Sequence, residues 1–268
     1  MIYSFGQYLK LNRGLSENTI KAYTEALKDF ASFVNDRHHG TSWRSVTKSM
    51  IDEYVVTMVQ EEMSAATIKQ HVSALRTFFK TCQAMGAEID NPARFVSTPR
   101  LSEQLPKTIE QEAIAEALRS PETNKQAKAA IAIIYETGVR LQELMDIRPE
   151  DIDSKTMSIK VHGKGKKERT VYYGDLTKQY GRCWHGQQHT QRGVRHLVYE
   201  ALKPYSKAQQ LSPHALRHTY ASQLINNGMA IEGISKLLGH EHIETTEIYA
   251  KLANKTTRNM YLQFAPTI

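Results

Sequence analysis

Apolar residues recur at helical spacing through the first ninety residues and in several later segments, and one short stretch alternates instead. Ile20, Tyr23, Leu27, Phe30 and Val34 fall on one face of a helix that Ser16 can cap. Phe5, Tyr8 and Leu9 mark a shorter helix before it, over about 3–12. Thr47 can cap a third, over about 48–61. Ser64 can cap a fourth, in which Ile68, Val72, Leu75, Phe78 and Phe79 share a face and Gly86 marks the end. Asn91-Pro92 closes this series. Through residues 96–106, prolines at 99 and 106 and mixed charge without periodicity predict a linker. Residues 1–95 are therefore expected to form a small all-helical domain.

A second domain is expected over 107–268. Thr108 and Gln111 have the spacing of a capping box, which predicts a helix from there through about Arg119. Further helices are predicted over about 124–136, broken at Gly138, and over 139–148, stopped by Pro149. The exception to helical spacing comes next. Met157, Ile159 and Val161 alternate with polar residues, and Thr170–Tyr173 has strand composition. Between them, His162-Gly163-Lys164-Gly165-Lys166-Lys167 is a glycine turn loaded with cations. Helices return over about 193–202, 213–227, 231–238 and 245–260, with Ser212-Pro213 as cap and first turn. The expected fold class is mainly α with a small antiparallel β-sheet, an α+β arrangement.

The net charge of +7 is unevenly placed. From Lys155 to Lys203 there are eleven Lys/Arg against three Asp/Glu, a net +8 that leaves −1 for the remainder. Such a surface suits a phosphate backbone, with Lys160, Lys166, Lys167, Arg169, Arg192 and Arg195 as expected contacts. A solvated lysine-rich loop is the plainer alternative. Residues 175–212 fit no pattern; their histidines 185, 189 and 196 would allow a metal site, but exposed basic residues fit DNA contact better. Two cysteines, Cys82 and Cys183, do not make a disulfide framework. With no signal-peptide order at the N-terminus and no apolar run of membrane length, a cytoplasmic, membrane-free protein is expected.

Five short segments hold the ionisable groups suited to chemistry. Arg140 follows Gly138 at a helix start, with Glu143 three residues on, expected on the same helix face. Lys164 sits at the hairpin tip. It is not a phosphate-binding P-loop lysine, because the required glycine spacing and strand-to-helix context are missing. His214 and Arg217 project side by side from the first turns of one helix, whose N-terminus also favours an anion. His240 follows a helix-ending Gly239, and Tyr249 is one of thirteen tyrosines. Singly, each has a plain reading: a surface ion pair, an exposed turn, a capping histidine, a packed aromatic. Together they supply what phosphoryl transfer from DNA without a metal requires. Arginines clamp the non-bridging oxygens, a lysine protonates the leaving oxygen, and a tyrosine attacks.

These segments, in this order, resemble the tyrosine recombinase family, which includes phage integrases and bacterial Xer-type recombinases. Tyr8-Leu9, Arg13-Gly14-Leu15-Ser16-Glu17-Asn18-Thr19 and Tyr23 resemble its helical, SAM-like core-binding domain. Thr137–Leu144 resembles its first catalytic box, and Pro213–Tyr220 with Leu237–Tyr249 its second. The resemblance implies a two-domain, C-shaped clamp on duplex DNA, closed by a catalytic domain with a C-terminal tail helix. It assigns Arg140 and Arg217 to phosphate binding, Lys164 to general-acid catalysis, and His214 and His240 to supporting roles. Glu143 would orient the first box. Tyr249 would form a 3′-phosphotyrosyl link, with no metal, ATP or other cofactor. The implied activity is site-specific recombination by a homotetramer on two DNA sites, with the apolar tail over 252–268 docking on a neighbour. A type IB topoisomerase with the same chemistry, or a DNA-binding regulator that no longer cuts, would be the alternatives.

Overall fold

The helix-start signals in the first hundred residues act as written. Ser16 accepts from the Thr19 N–H at 3.3 Å, Thr47 from Met50 at 3.4 Å and Ser64 from Thr67 at 3.1 Å. Each meets a backbone donor that has no partner inside its own helix. The computed structural model describes residues 2–99, 107–163 and 168–239. Two compact units form, one from residues up to 102 and one from 103 onward.

The first unit is four helices: α1 (Ile2–Arg13), α2 (Glu17–His38), α3 (Lys48–Gln60) and α4 (Ala65–Ala84). Their apolar faces close on Phe5, Leu9, Leu27, Phe30, Ile51, Leu75, Phe78 and Phe79, all buried. Phe5 and Phe78 meet edge to face with ring centroids 5.4 Å apart, an arrangement that fixes geometry as well as burying area. The chain stays with this unit beyond α4. Arg76 donates from Nε to the Ala93 carbonyl at 2.9 Å and from Nη2 to that of Val96 at 2.6 Å, and Ala93 and Val96 are buried.

In the second unit, α6 (Lys125–Thr137) is the central helix. Asn124 caps it, accepting from the Gln126 N–H at 2.7 Å, and Ala129 through Ile134 are buried without a break. A helix apolar on every side must be surrounded. Around it lie α5 (Gln111–Arg119), α7 (Leu141–Asp146), α8 (Asp175–Tyr180), α9 (Gln191–Leu202) and α10 (Pro213–Asn226). The last described helix, α11 (Ile231–Leu238), packs on α10 through Tyr220, Ala221, Ile225, Ile234 and Leu238. The sheet is antiparallel, in order β1 (Ile152–Asp153), β2 (Ser158–His162), β3 (Glu168–Tyr172). β2 and β3 pair from Ser158↔Tyr172 to His162↔Glu168. Among the described residues no helix is long and apolar enough to cross a membrane.

Several local expectations are corrected. Thr108 caps nothing: α5 starts at Gln111 behind Glu110, which makes no side-chain cap bond. α7 is only six residues, because Arg140 is its N-cap rather than its second residue, and Pro149 opens a 3₁₀ turn instead of ending a helix. Met157 precedes β2 at φ 51°, in the turn, so the alternation starts one residue later and keeps Ile159 and Val161 inward. The unplaced stretch 175–212 is folded. Trp184 is buried and donates from Nε1 to the Leu144 carbonyl at 2.8 Å. His189 stacks on Trp184 with centroids 5.4 Å apart, and Gln126 of α6 accepts from the His185 N–H at 3.2 Å.

Candidate active site

The site is built where α6 stops. Gly138 ends that helix at φ 63°, a conformation that favours glycine, and a Cβ here would collide with the Tyr220 ring. The chain can therefore turn tightly and present Arg140 as the N-cap of α7. Glu143 reaches back from the first turn of α7. Its Oε2 accepts the Arg140 backbone N–H at 2.7 Å, and its Oε1 accepts Arg140 Nη1 at 2.9 Å. This is not the surface pair on one helix face that spacing alone predicts. The Glu143 side chain is 5% exposed and Arg140's is 44% exposed. A second arginine, Arg169 of β3, grips the same carboxylate with Nη1 and Nη2, at 2.7 and 2.8 Å.

Burial works to raise the Glu143 pKa. The Arg169 hydrogen bonds, the Arg140 N–H and the two guanidinium charges outweigh it and hold the value at about 2. The carboxylate is therefore ionised at any working pH.

Arg217, on α10, is 5% exposed. Its Nη1 donates to the Gly138 carbonyl and its Nη2 to the Leu238 carbonyl, the latter at 2.8 Å. Three arginines thus converge on the C-terminus of α11. Arg169 Nε donates to the Leu237 carbonyl at 2.9 Å, Arg217 to Leu238, and Arg140 Nη2 to Gly239 at 2.8 Å. These carbonyls lack partners within the helix and carry the negative end of its dipole, so cations suit them. Gly239, at φ 63°, completes the cap.

His214 stands one turn before Arg217. Partial burial, then the charge of Arg217, keeps its pKa below the ordinary 6.5. Its Nε2 lies 2.9 Å from His218 Nε2, with the rings edge to face.

Of the expected residues, the structure gathers Arg140, Glu143 and Arg217, with His214 on the same helix as Arg217. Arg169, expected as a DNA contact, is bonded inside this cluster. Lys160 pairs with Glu168 at 2.6 Å and Arg195 with Gln191 at 3.1 Å, while Arg192 is exposed on α9. Lys164, Lys166, Lys167, His240, Tyr249 and the predicted helix over 245–260 lie outside the described residues. The place of Arg169 had a signal in the alternation: it shares the inward face of β3 with Val171. His218 had none beyond its four-residue spacing from His214. Among the described residues no group of three or more His, Cys, Asp or Glu could hold a metal ion.

The family model for the N-terminal SAM-like domain of phage integrases matches residues 2–85, and that of the phage integrase family matches 107–180 and 176–256. The chain belongs to the phage integrase family of tyrosine recombinases. Tyrosine recombinases are enzymes that cleave and rejoin DNA in site-specific recombination. Similar recombinases include tyrosine recombinase XerC of Bacillus pumilus, 28% identical over 99% of this chain and 96% of that protein. XerD of Oceanobacillus iheyensis is 25% identical over 99% and 98%. The fold is shared with the Tn1549 transposon integrase in complex with transposon right end DNA, at a TM-score of 0.74, 19% identity and 99% coverage of both chains. It is shared too with XerH site-specific recombinase bound to a palindromic difH substrate, at a TM-score of 0.74 and 18% identity, over 97% of this chain and 84% of that one.

Proposed function

We propose that this tyrosine recombinase cuts each strand of a specific duplex DNA site by attack of Tyr249 on a backbone phosphate. The products of that step are a 3′-phosphotyrosyl bond and a free 5′-hydroxyl. Arg140 and Arg217 bind the non-bridging oxygens of the scissile phosphate. Lys164, which lies between β2 and β3 in sequence, gives its proton to the leaving 5′-oxygen. His214, neutral near pH 7, can accept the tyrosine proton, and His240 donates a hydrogen bond to the phosphate. Rejoining reverses the step with the 5′-hydroxyl of another strand, so the phosphodiester's energy is retained and neither ATP nor a metal is needed.

The observation that carries this reading is the convergence of Arg140 and Arg217 on the last carbonyls of α11, one residue before His240. Two fixed cations beside one backbone turn make a preorganised anion site, which costs no reorganisation when charge develops on the phosphate. Arg140 has five N–H groups and gives two of them to Glu143 and Gly239, which leaves donors to aim outward. Duplex DNA as the partner is supported by the DNA complexes of the Tn1549 integrase and XerH. Four protomers on two sites, with residues 252–268 docking on a neighbour, complete the proposal. Residues 1–95 and 107–268 serve as its DNA-binding and catalytic domains.

The test is to offer a library of nicked duplexes with randomised cores, whose cleaved strand loses its 5′-hydroxyl fragment and traps the adduct. The expected result is one enriched sequence family joined to protein through its 3′-phosphate. Adducts joined through a 5′-phosphate, or no enrichment over the input library, would contradict the proposal.

A further inference from the structure

Glu143 is shared by two arginines, and the proposed chemistry uses only Arg140. Arg169 is bound from two directions. Its Nη1 and Nη2 hold both oxygens of Glu143, and its Nε holds the Leu237 carbonyl at the end of α11. It stands at the start of β3, so the strand that follows Lys164 in sequence is tied at once to the Arg140 box and to the end of α11. Gly239 leaves room for it: a Cβ there would lie 3.1–3.2 Å from the Arg169 side chain. The side chain of Arg169 is 16% exposed, so its position favours internal bonds over contact with DNA.

We infer that Arg169 is a positioning residue for strand cleavage: it fixes Glu143 so that Glu143 aims Arg140, and it fixes the end of α11 that precedes His240. The physical reason lies in competition for one carboxylate. While Arg169 occupies both oxygens, the Arg140 side chain reaches only Oε1 of that carboxylate, through Nη1, and the donors given neither to Glu143 nor to Gly239 stay available. Without Arg169 the carboxylate is free to turn and take the Arg140 guanidinium as a two-bond fork, the preferred geometry of that pair. Arg140 would then face Glu143 rather than a phosphate. A lysine cannot replace Arg169, because an ammonium lacks the planar fork and cannot reach Glu143 and Leu237 in two fixed directions. The inference rests on the reading of Arg140 as a phosphate ligand.

The experiment compares full-length wild type, Arg169→Lys, Arg140→Lys and the double variant on the nicked randomised-core library. It measures affinity by gel shift and the single-turnover rate of adduct formation. Arg169→Lys is expected to bind the library within about threefold of wild type, yet to form adduct roughly tenfold to a hundredfold more slowly. In the Arg140→Lys background the same change is expected to slow the reaction less than about threefold, because both act through one guanidinium. An undiminished rate, a rate that falls no further than binding does, or losses that multiply in the double variant would each overturn the inference. Should Arg169→Lys fail to fold, Arg169→Gln combined with Glu143→Gln leaves neither member of that pair charged; a wild-type rate from it would also overturn the inference. Wild-type protein that forms no adduct at all overturns the reading of the site instead.

Discussion

Glu143 is the residue on which the site's electrostatics turn. Its folded-state pKa of about 2 lies below the ordinary 4.5. The stability it contributes is therefore complete above pH 4.5 and is lost as pH falls toward 2. Glu143→Gln, which leaves two arginines without their shared anion, is expected to cost about 3 kcal/mol at pH 7. The gap in urea midpoint between variant and wild type should narrow between about pH 5 and pH 3; a gap that stays constant would remove the carboxylate's charge from the account. At this scale the sequence exposed function better than burial. Arg140, His214 and Arg217 stand out by spacing and order, since chemistry of this kind needs those side chains. That Glu143 is buried and shared could not be seen, because its second partner, Arg169, is 26 residues away. Trp184 was equally opaque: its partner is a carbonyl of α7 rather than anything nearby in the chain.

Among the elements, helices with strong periodicity and a side-chain cap were legible almost to the residue: α2 behind Ser16, α4 behind Ser64, α6 behind Asn124 and α10 behind Ser212. Errors gathered where tertiary contacts decide. Thr108 has capping-box spacing, but the Ile109 N–H goes to Thr219 of α10 at 2.9 Å, which ties the residue after Thr108 to another helix and delays α5. α8 begins at a glycine with no side chain to cap it, and Glu136 of α6 does so from a distance, accepting the N–H groups of Gly174, Leu176 and Thr177. No local rule reveals such a cap. Gly138 joins element to site: it ends α6, and its carbonyl receives Arg217. Gly138→Ala meets both a positive φ and the Tyr220 ring. A loss of at least about 2 kcal/mol is expected, or roughly 4–8 °C in Tm, with slower cleavage. A thermal scan matching wild type would show that the turn has slack the packing does not.

For the molecule as a whole, charge and catalysis make separate claims. The net +8 between Lys155 and Lys203 predicts that DNA affinity falls linearly with salt on a log–log plot. Catalysis by arginines and a lysine predicts that adduct formation continues in excess EDTA without ATP; a rate restored only by added magnesium would require a different mechanism. The second expectation depends on a covalent step, so the decisive measurement is on that bond. Wild type and Tyr249→Phe are incubated with the trapped nicked duplex, denatured and digested, and the DNA-linked peptide is sequenced by mass spectrometry. Wild type is expected to yield one peptide, joined through Tyr249 to the 3′-phosphate of the DNA, while the variant binds DNA within about twofold and yields none, since only the attacking hydroxyl is lost. An adduct that survives in Tyr249→Phe, or one mapped to another residue, would contradict it.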